Sequence, residues 1–210
     1  MKALILIDLQ NDFCPGGALP VQEGDQVVPV VNRLQERFSL IVATRDWHPA
    51  DHGSFVTSHP GRAVGDTVLL NGIPQILWPP HCVQETPGAA FRDTLATSGI
   101  RKVFLKGTDP QIDSYSAFYD NAHQRSTGLG DYLRSMDAGE VYIAGLATEY
   151  SVKFSALDAM DLGFKTTVVE DACRGVNIAP GDHLDALERM RSRGVEIIRS
   201  SQILQDVQGP

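Results

Sequence analysis

The sequence predicts an α/β fold, a doubly wound and mostly parallel sheet with helices on both faces. Three observations carry that prediction. Short, nearly continuous apolar runs recur along the chain, as expected of strands covered on both sides. Segments with helical apolar spacing separate several of them. A length of 210 residues with 42% hydrophobic content suits one domain, residues 1–210, that buries a substantial core.

The elements come in this order. "ALILIDL" (3–9) reads as the first strand. "GDQVVPVVNRLQER" (24–37) places Val27, Val30, Val31 and Leu34 on one helical face, and Pro29 confines the helix start to that neighbourhood, because proline fits only a first turn. "LIVATRD" (40–46) and "KVFLKG" (102–107) are the next strands. "GLGDYLRSM" (128–136) is a helix, "VYIAG" (141–145) a buried strand that breaks at Gly145, and "YSVKFSALDAMDLG" (150–163) a helix stopped by glycine. "KTTVVED" (165–171), "PGDHLDALERMRSRG" (180–194) and "VEIIRS" (195–200) complete the strand–helix–strand pattern. The terminal "QDVQGP" is expected to fray.

Composition narrows the function classes. A net charge of -8 argues against nucleic acid or an anionic membrane as the main partner. Three cysteines, Cys14, Cys82 and Cys173, do not make a disulfide framework and point to a reducing, cytoplasmic setting. The apolar run in "MKALILIDLQ" is too short to span a bilayer and runs into Asp8 rather than a small-residue cleavage site.

Right-handed crossovers bring the strand C-terminal ends to one edge, where open α/β sheets bind ligands. Asp8 comes after the first strand, Asp46 and His48 after the second, Lys106 ends the third, and Ser151 comes after the fourth. Each has a bland reading: a turn aspartate, a strand-end lysine reaching solvent, a helix-start serine bonding backbone. "DWHPADH" is sharper. In an extended segment Asp46 and His48 point the same way, which suits two ligands of one metal. His81 from "WPPHCVQ" would complete a carboxylate–imidazole set suited to Zn, Fe or Mn rather than Ca or Mg, and His52 is a further candidate. Against this stands the reading of His48 and His52 as ordinary loop histidines. Cys82 reads as a buried small hydrophobe. Cys173 comes just after a strand, but nothing adjacent in sequence activates it.

Five stretches together resemble the nicotinamidase/pyrazinamidase family of isochorismatase-like cysteine hydrolases. They are "LIDLQNDFCPGGAL" (6–19), "ATRDWHPADHGSF" (43–55), "WPPHCVQETPGA" (78–89), "FLKGTDPQIDSYSAF" (104–118) and "GLATEYSVKFSALDA" (145–159). The resemblance implies hydrolysis of nicotinamide to nicotinate and ammonia in NAD salvage, with pyrazinamide as an accidental substrate. It also implies roles. Asp8 is then the general base and proton shuttle, and Lys106 the catalytic lysine. Asp46, His48 and His81 hold a divalent transition metal, Zn above Fe or Mn, with His52 a ligand only in some members. Phe13 and Trp78 are the aromatic walls around the ring, and Tyr115 a further pocket residue. The backbone N–H groups of Ala147 and Ser151 form the oxyanion hole, preceded by a non-proline cis peptide at Leu146–Ala147. Family members are often homo-oligomers, although the sequence itself carries no interface pattern.

One position departs. The family turn reads Ala-Thr-Asp-x-Cys-Val, and here it is "ATEYSV", with Ser151 in the place of the nucleophilic cysteine. A thiol beside a lysine at a helix start ionises readily near neutral pH, and an alcohol does not. Three readings of Ser151 stand: an engineered Cys-to-Ser substitution that removes turnover and keeps binding, which the intact surroundings favour; a natural serine variant with weak or altered hydrolysis; and a natural non-catalytic protein that binds a nicotinamide-like ligand. Another amidohydrolase acting on N-carbamoyl or ureido substrates is the enzyme alternative, and it should lack the metal.

Overall fold

A computed structural model describes residues 1–205 of the chain. The expected fraying of "QDVQGP" falls almost wholly outside these residues.

Six strands, β1 (Lys2–Ile7), β2 (Leu40–Asp46), β5 (Lys102–Lys106), β6 (Glu140–Leu146), β7 (Lys165–Arg174) and β8 (Glu196–Ile198), form one sheet in the order β5-β2-β1-β6-β7-β8. Every pairing in it is parallel. Strand alternation sorts the side chains of β1 onto two cores. Ala3, Ile5 and Ile7 pack with Leu129 and Leu133 of α2 (Leu129–Ser135), Ala156 and Ala159 of α3 (Lys153–Asp161), and Leu187 and Met190 of α4 (Asp182–Ser192). Leu4 and Leu6 pack with Val27, Val28, Val31 and Leu34 of α1 (Val27–Gln35) and with residues of α5 (Ser200–Leu204). All five of these β1 side chains are fully buried. At roughly 1.5–3 kcal/mol for each large aliphatic residue, β1 is a principal contributor to the core. Pro29 occupies the first turn of α1, as its missing N–H requires.

Two boundaries differ from the sequence reading. β6 does not break at Gly145 but runs through it to Leu146. Gly145 has φ +132°, and a Cβ there would collide with the Ile7 carbonyl oxygen, so glycine serves a close approach of β6 to the end of β1. Likewise β7 does not end at Asp171. Past a bulge it pairs Gly145 with Cys173 and Leu146 with Arg174, which places Cys173 inside the strand.

The hairpin of β3 (Thr67–Leu70) and β4 (Ile73–Ile76) was not expected from the sequence. Its turn is Asn71-Gly72, both with positive φ, a two-residue turn that matches strand twist. The hairpin bears on the site because Gln75 of β4 donates to Tyr115 Oη at 3.0 Å and to Asp113 Oδ2 at 3.1 Å.

Candidate active site

β1, β2, β5 and β6 all deliver their C-terminal ends to one place. Asp8 lies just past β1 with φ +49°, and Asp46 and Lys106 are register partners at the ends of β2 and β5. All three side chains are buried. Lys106 Nζ lies 2.8 Å from Asp8 Oδ2, bonds Asp46 Oδ1 closely, donates to the Ser114 carbonyl at 3.1 Å, and reaches Ser151 Oγ at 3.3 Å. Lys106 is therefore no strand-end lysine reaching solvent. Nor is Ser151 a helix cap: α3 begins after it with no side-chain cap bond.

Ser151 sits instead in a wide π turn, Thr148–Val152, where the Val152 N–H reaches back five residues to the Ala147 carbonyl at 3.1 Å. Such bulges recur at functional sites. The preceding Leu146–Ala147 peptide is cis, as the family resemblance implied.

Electrostatics separates the two carboxylates. Burial pushes Asp8 up to about 6, against the pull of Lys106, with the neighbouring Asp46 adding to the rise. Burial opposes ionisation of Asp46 too, but there Lys106, His48 and His81 prevail and hold it well below the usual range. Burial would lower Lys106, yet the two aspartates outweigh it and keep the amine charged. Asp8 Oδ1 accepts the Thr44 hydroxyl at 2.6 Å, whereas Oδ2 accepts no hydrogen bond of good geometry among the described residues. Its neighbour is the Lys106 ammonium at 2.8 Å.

The second group faces Asp46 from the other side. His48 Nε2 and His81 Nε2 lie 3.8 and 3.9 Å from Asp46 Oδ2. Both rings are buried and held at Nδ1, His48 by the Gly107 carbonyl at 2.9 Å and His81 by the Pro79 carbonyl at 2.8 Å. A carbonyl only accepts, so each Nδ1 carries a hydrogen, and in the neutral ring Nε2 presents a lone pair toward Asp46. Gly107 has φ +64°, and its missing Cβ makes the space that the His48 ring fills. Burial, then His48, pushes His81 down to about 4, which keeps it neutral at pH 7. One carboxylate oxygen and two imidazole nitrogens within 4.8 Å of one another fit Zn, Fe or Mn. His52 differs. Its Nδ1 meets the Ser54 hydroxyl at 2.7 Å and the Ser54 N–H at 3.1 Å, and its buried Nε2 has no hydrogen-bond partner among the described residues. A second group, His48, His52 and Asp113, also has the spacing of ligands.

Phe13, Trp78, Tyr115, Ala147 and Ser151 line one cavity together with Asp46, His48 and His81. Trp78 Nε1 donates to Tyr115 Oη at 3.2 Å, which locks these two aromatic residues together.

A family profile described as the isochorismatase domain matches residues 2–202. A nicotinamidase of Escherichia coli is 48% identical over 206 residues, covering 93% of each chain. The chain belongs to the nicotinamidase/pyrazinamidase family. A solved nicotinamidase/pyrazinamidase of Acinetobacter baumannii superposes with a TM-score of 0.93 at 41% identity, covering 97% of this chain and 98% of that one. A Pyrococcus horikoshii pyrazinamidase solved in complex with zinc gives 0.76 at 42% identity, covering 94% and 98%.

The nicotinamidase-type cavity also takes in residues the sequence reading missed: Leu19, Asp113, Tyr150 and Val176. Tyr150 was within reach, since it adjoins Ser151 and its ring meets Trp78 edge-on at 5.0 Å. Val176 had no sequence marker. Of the cysteines, all three are unpaired and buried, and burial pushes Cys173 up to about 12 and Cys82 well above its ordinary value, which disfavours the thiolate in both. No helix of the described residues is long and apolar enough to cross a membrane.

Proposed function

We propose that this fold is a metal-dependent amidohydrolase for nicotinamide, yielding nicotinate and ammonia in the cytoplasm, and that Ser151 in the nucleophile's place severely reduces its turnover. The observation that carries this is the position of Lys106, which touches Asp8, Asp46 and Ser151 at once. The names of its relatives supply the substrate, and pyrazinamide fits the same pocket.

Phe13 and Trp78 are the walls for the pyridine ring, and Asp46, His48 and His81 are the residues that would hold the metal. When bound, a divalent transition metal, zinc in the Pyrococcus horikoshii relative, would supply a Lewis-acidic anchor for the ring nitrogen. With a thiol at position 151, Asp8 accepts the thiol proton and sulfur adds to the carboxamide carbon. The oxyanion faces the N–H groups of Ala147 and residue 151. Asp8 returns the proton to the departing nitrogen, ammonia leaves, and a thioester remains. Water, deprotonated by Asp8, then releases nicotinate and restores the thiol.

A hydroxyl fails at the first step because it is a far weaker acid than a thiol. Serine hydrolases rely on a histidine base at hydrogen-bond distance. Here the partner of Ser151 Oγ is Lys106, a charged donor, and His48 and His81 face Asp46. The Ser151→Cys protein tests the substrate. Ammonia release from nicotinamide and pyrazinamide is expected, and activity confined to N-carbamoyl amides would sink this reading.

A further inference from the structure

Gln10 is fully buried just past β1, where the chain has already turned away from the sheet at Asp8. The ladder between β1 and β2 pairs residues only as far as Leu6 with Ala43. Asp46, three residues further along β2, thus has no β1 partner on that side. On the other side, the β5 edge is served by the Trp47 N–H, which bonds the Lys106 carbonyl at 2.9 Å. In a parallel strand the N–H and C=O of one residue point to the same side. Both groups of Asp46 point to where β1 would have continued.

The Gln10 carboxamide occupies that place. Its Oε1 accepts the Asp46 N–H at 2.8 Å, and its Nε2 donates to the Asp46 carbonyl at 2.8 Å. A second Nε2 bond goes to the Ala89 carbonyl at 3.0 Å. The pattern admits one orientation of the amide: an N–H faces Oε1, and two carbonyls face Nε2. The side chain therefore replaces a missing stretch of strand. It also ties the Asp46 peptide to Ala89, on the connection that leads on from His81.

We infer that Gln10 is a positioning residue for the metal-binding carboxylate, fixing the backbone of Asp46 so that Oδ2 meets His48 Nε2 and His81 Nε2 with Oδ1 on Lys106. This rests on the proposed metal site. Residues that orient a ligand typically cost ten- to a hundredfold in metal affinity when removed. Lys106 sets the Asp46 side chain by charge, whereas Gln10 sets its main chain, and no other described side chain bonds both backbone groups of Asp46.

The test uses the intact chain and zinc itself. Gln10→Met keeps volume and flexibility but removes all three hydrogen bonds. Gln35→Met is the control: Gln35 is also buried, and its amide bonds the Ala96 carbonyl at 2.9 Å, outside the metal group. Zinc dissociation constants from competition with a chromophoric chelator, and the visible spectrum of the cobalt(II) form, are the readouts. About tenfold or greater weakening of zinc and a changed cobalt spectrum are expected for Gln10→Met alone. Parental values for Gln10→Met, or equal weakening in both variants, overturn the inference. If Gln10→Met does not fold, Gln10→Glu serves instead: it keeps one acceptor, sets a carboxylate oxygen against two carbonyls, and must also weaken zinc. A parent that binds zinc no better than its His48→Ala variant overturns the metal reading itself and is recognisable as that separate failure.

Discussion

The two walls of the site are built on different principles. On one, Asp46, His48 and His81 converge through a carboxylate oxygen and two imidazoles, each ring fixed by a backbone carbonyl, with Phe13 and Trp78 beside them. On the other, Asp8, Lys106 and Ser151 form a chain of charge that ends on a hydroxyl. The first wall brings its three donors together without Ser151. The second is arranged around whatever atom stands at position 151, where the resemblance implies a cysteine and this sequence has serine. On the proposed function, binding and turnover would reside in different residues, so one substitution would silence the second and spare the first. The walls share one side chain, Lys106, which bonds Asp46 and Asp8 alike.

Breaking that shared residue should have the largest effect. Lys106→Met leaves two buried carboxylates without their cation, and removing one partner of a buried pair costs about 3–5 kcal/mol. Denaturant unfolding should show that loss, accompanied by weakened zinc binding and no turnover in the Cys form. A variant that keeps parental zinc affinity would show that the walls are not joined through Lys106.

Asp8→Asn separates them. In the Ser151→Cys background it should lower kcat by about 10²–10⁴-fold, the range for a lost general base, and leave nicotinamide affinity near parental. An equal loss in affinity would merge the two walls.

The pH dependence sharpens the same point. Asp8, pushed up to about 6 by burial, must be ionised to accept a proton. Turnover by the Cys form should fall about tenfold per pH unit below about 6, and Asp8→Asn should abolish that limb. The stability term runs the other way. A carboxyl raised from 3.8 to about 6 favours the fold below its unfolded value, and that contribution is lost as pH rises to about 6.

The smallest effect belongs to a residue that supports the binding wall without touching the metal group. Tyr115→Phe deprives Trp78 Nε1 of its acceptor, while Gln75 Nε2 keeps the Ile76 carbonyl and Asp113 Oδ2. It should cost about 1–3 kcal/mol in stability, measured by thermal unfolding, and raise KM more than it lowers kcat. A variant as stable as the parent would show that the Trp78–Tyr115 contact does not hold the aromatic wall.

Much of this was legible in the sequence because the fold turns strand order into proximity. Apolar runs located the six sheet strands, and the polar residues at or just past four of their C-terminal ends are Asp8, Asp46, His48, Lys106 and Ser151. Features set by close backbone approach were not legible. The continuation of β6 through Gly145 depends on packing against Ile7, and the extension of β7 to Arg174 depends on a bulge. Neither leaves a periodic pattern. The β3–β4 hairpin did carry a signal, Asn71-Gly72, but its strands are half exposed and too short to stand out by hydrophobicity. Gln10 was invisible for another reason: a buried glutamine that stands in for a strand looks in sequence like any polar residue after β1.

The separation of the two walls is tested most directly by measuring nicotinamide affinity and ammonia release side by side for the present chain and for Ser151→Cys. Affinities within a few-fold of each other are expected, with turnover higher in the Cys form by on the order of 10³-fold or more, the scale of losing a nucleophile. Comparable turnover in the two forms would make Ser151 a competent nucleophile and contradict the division. So would a Ser151 form that binds no nicotinamide.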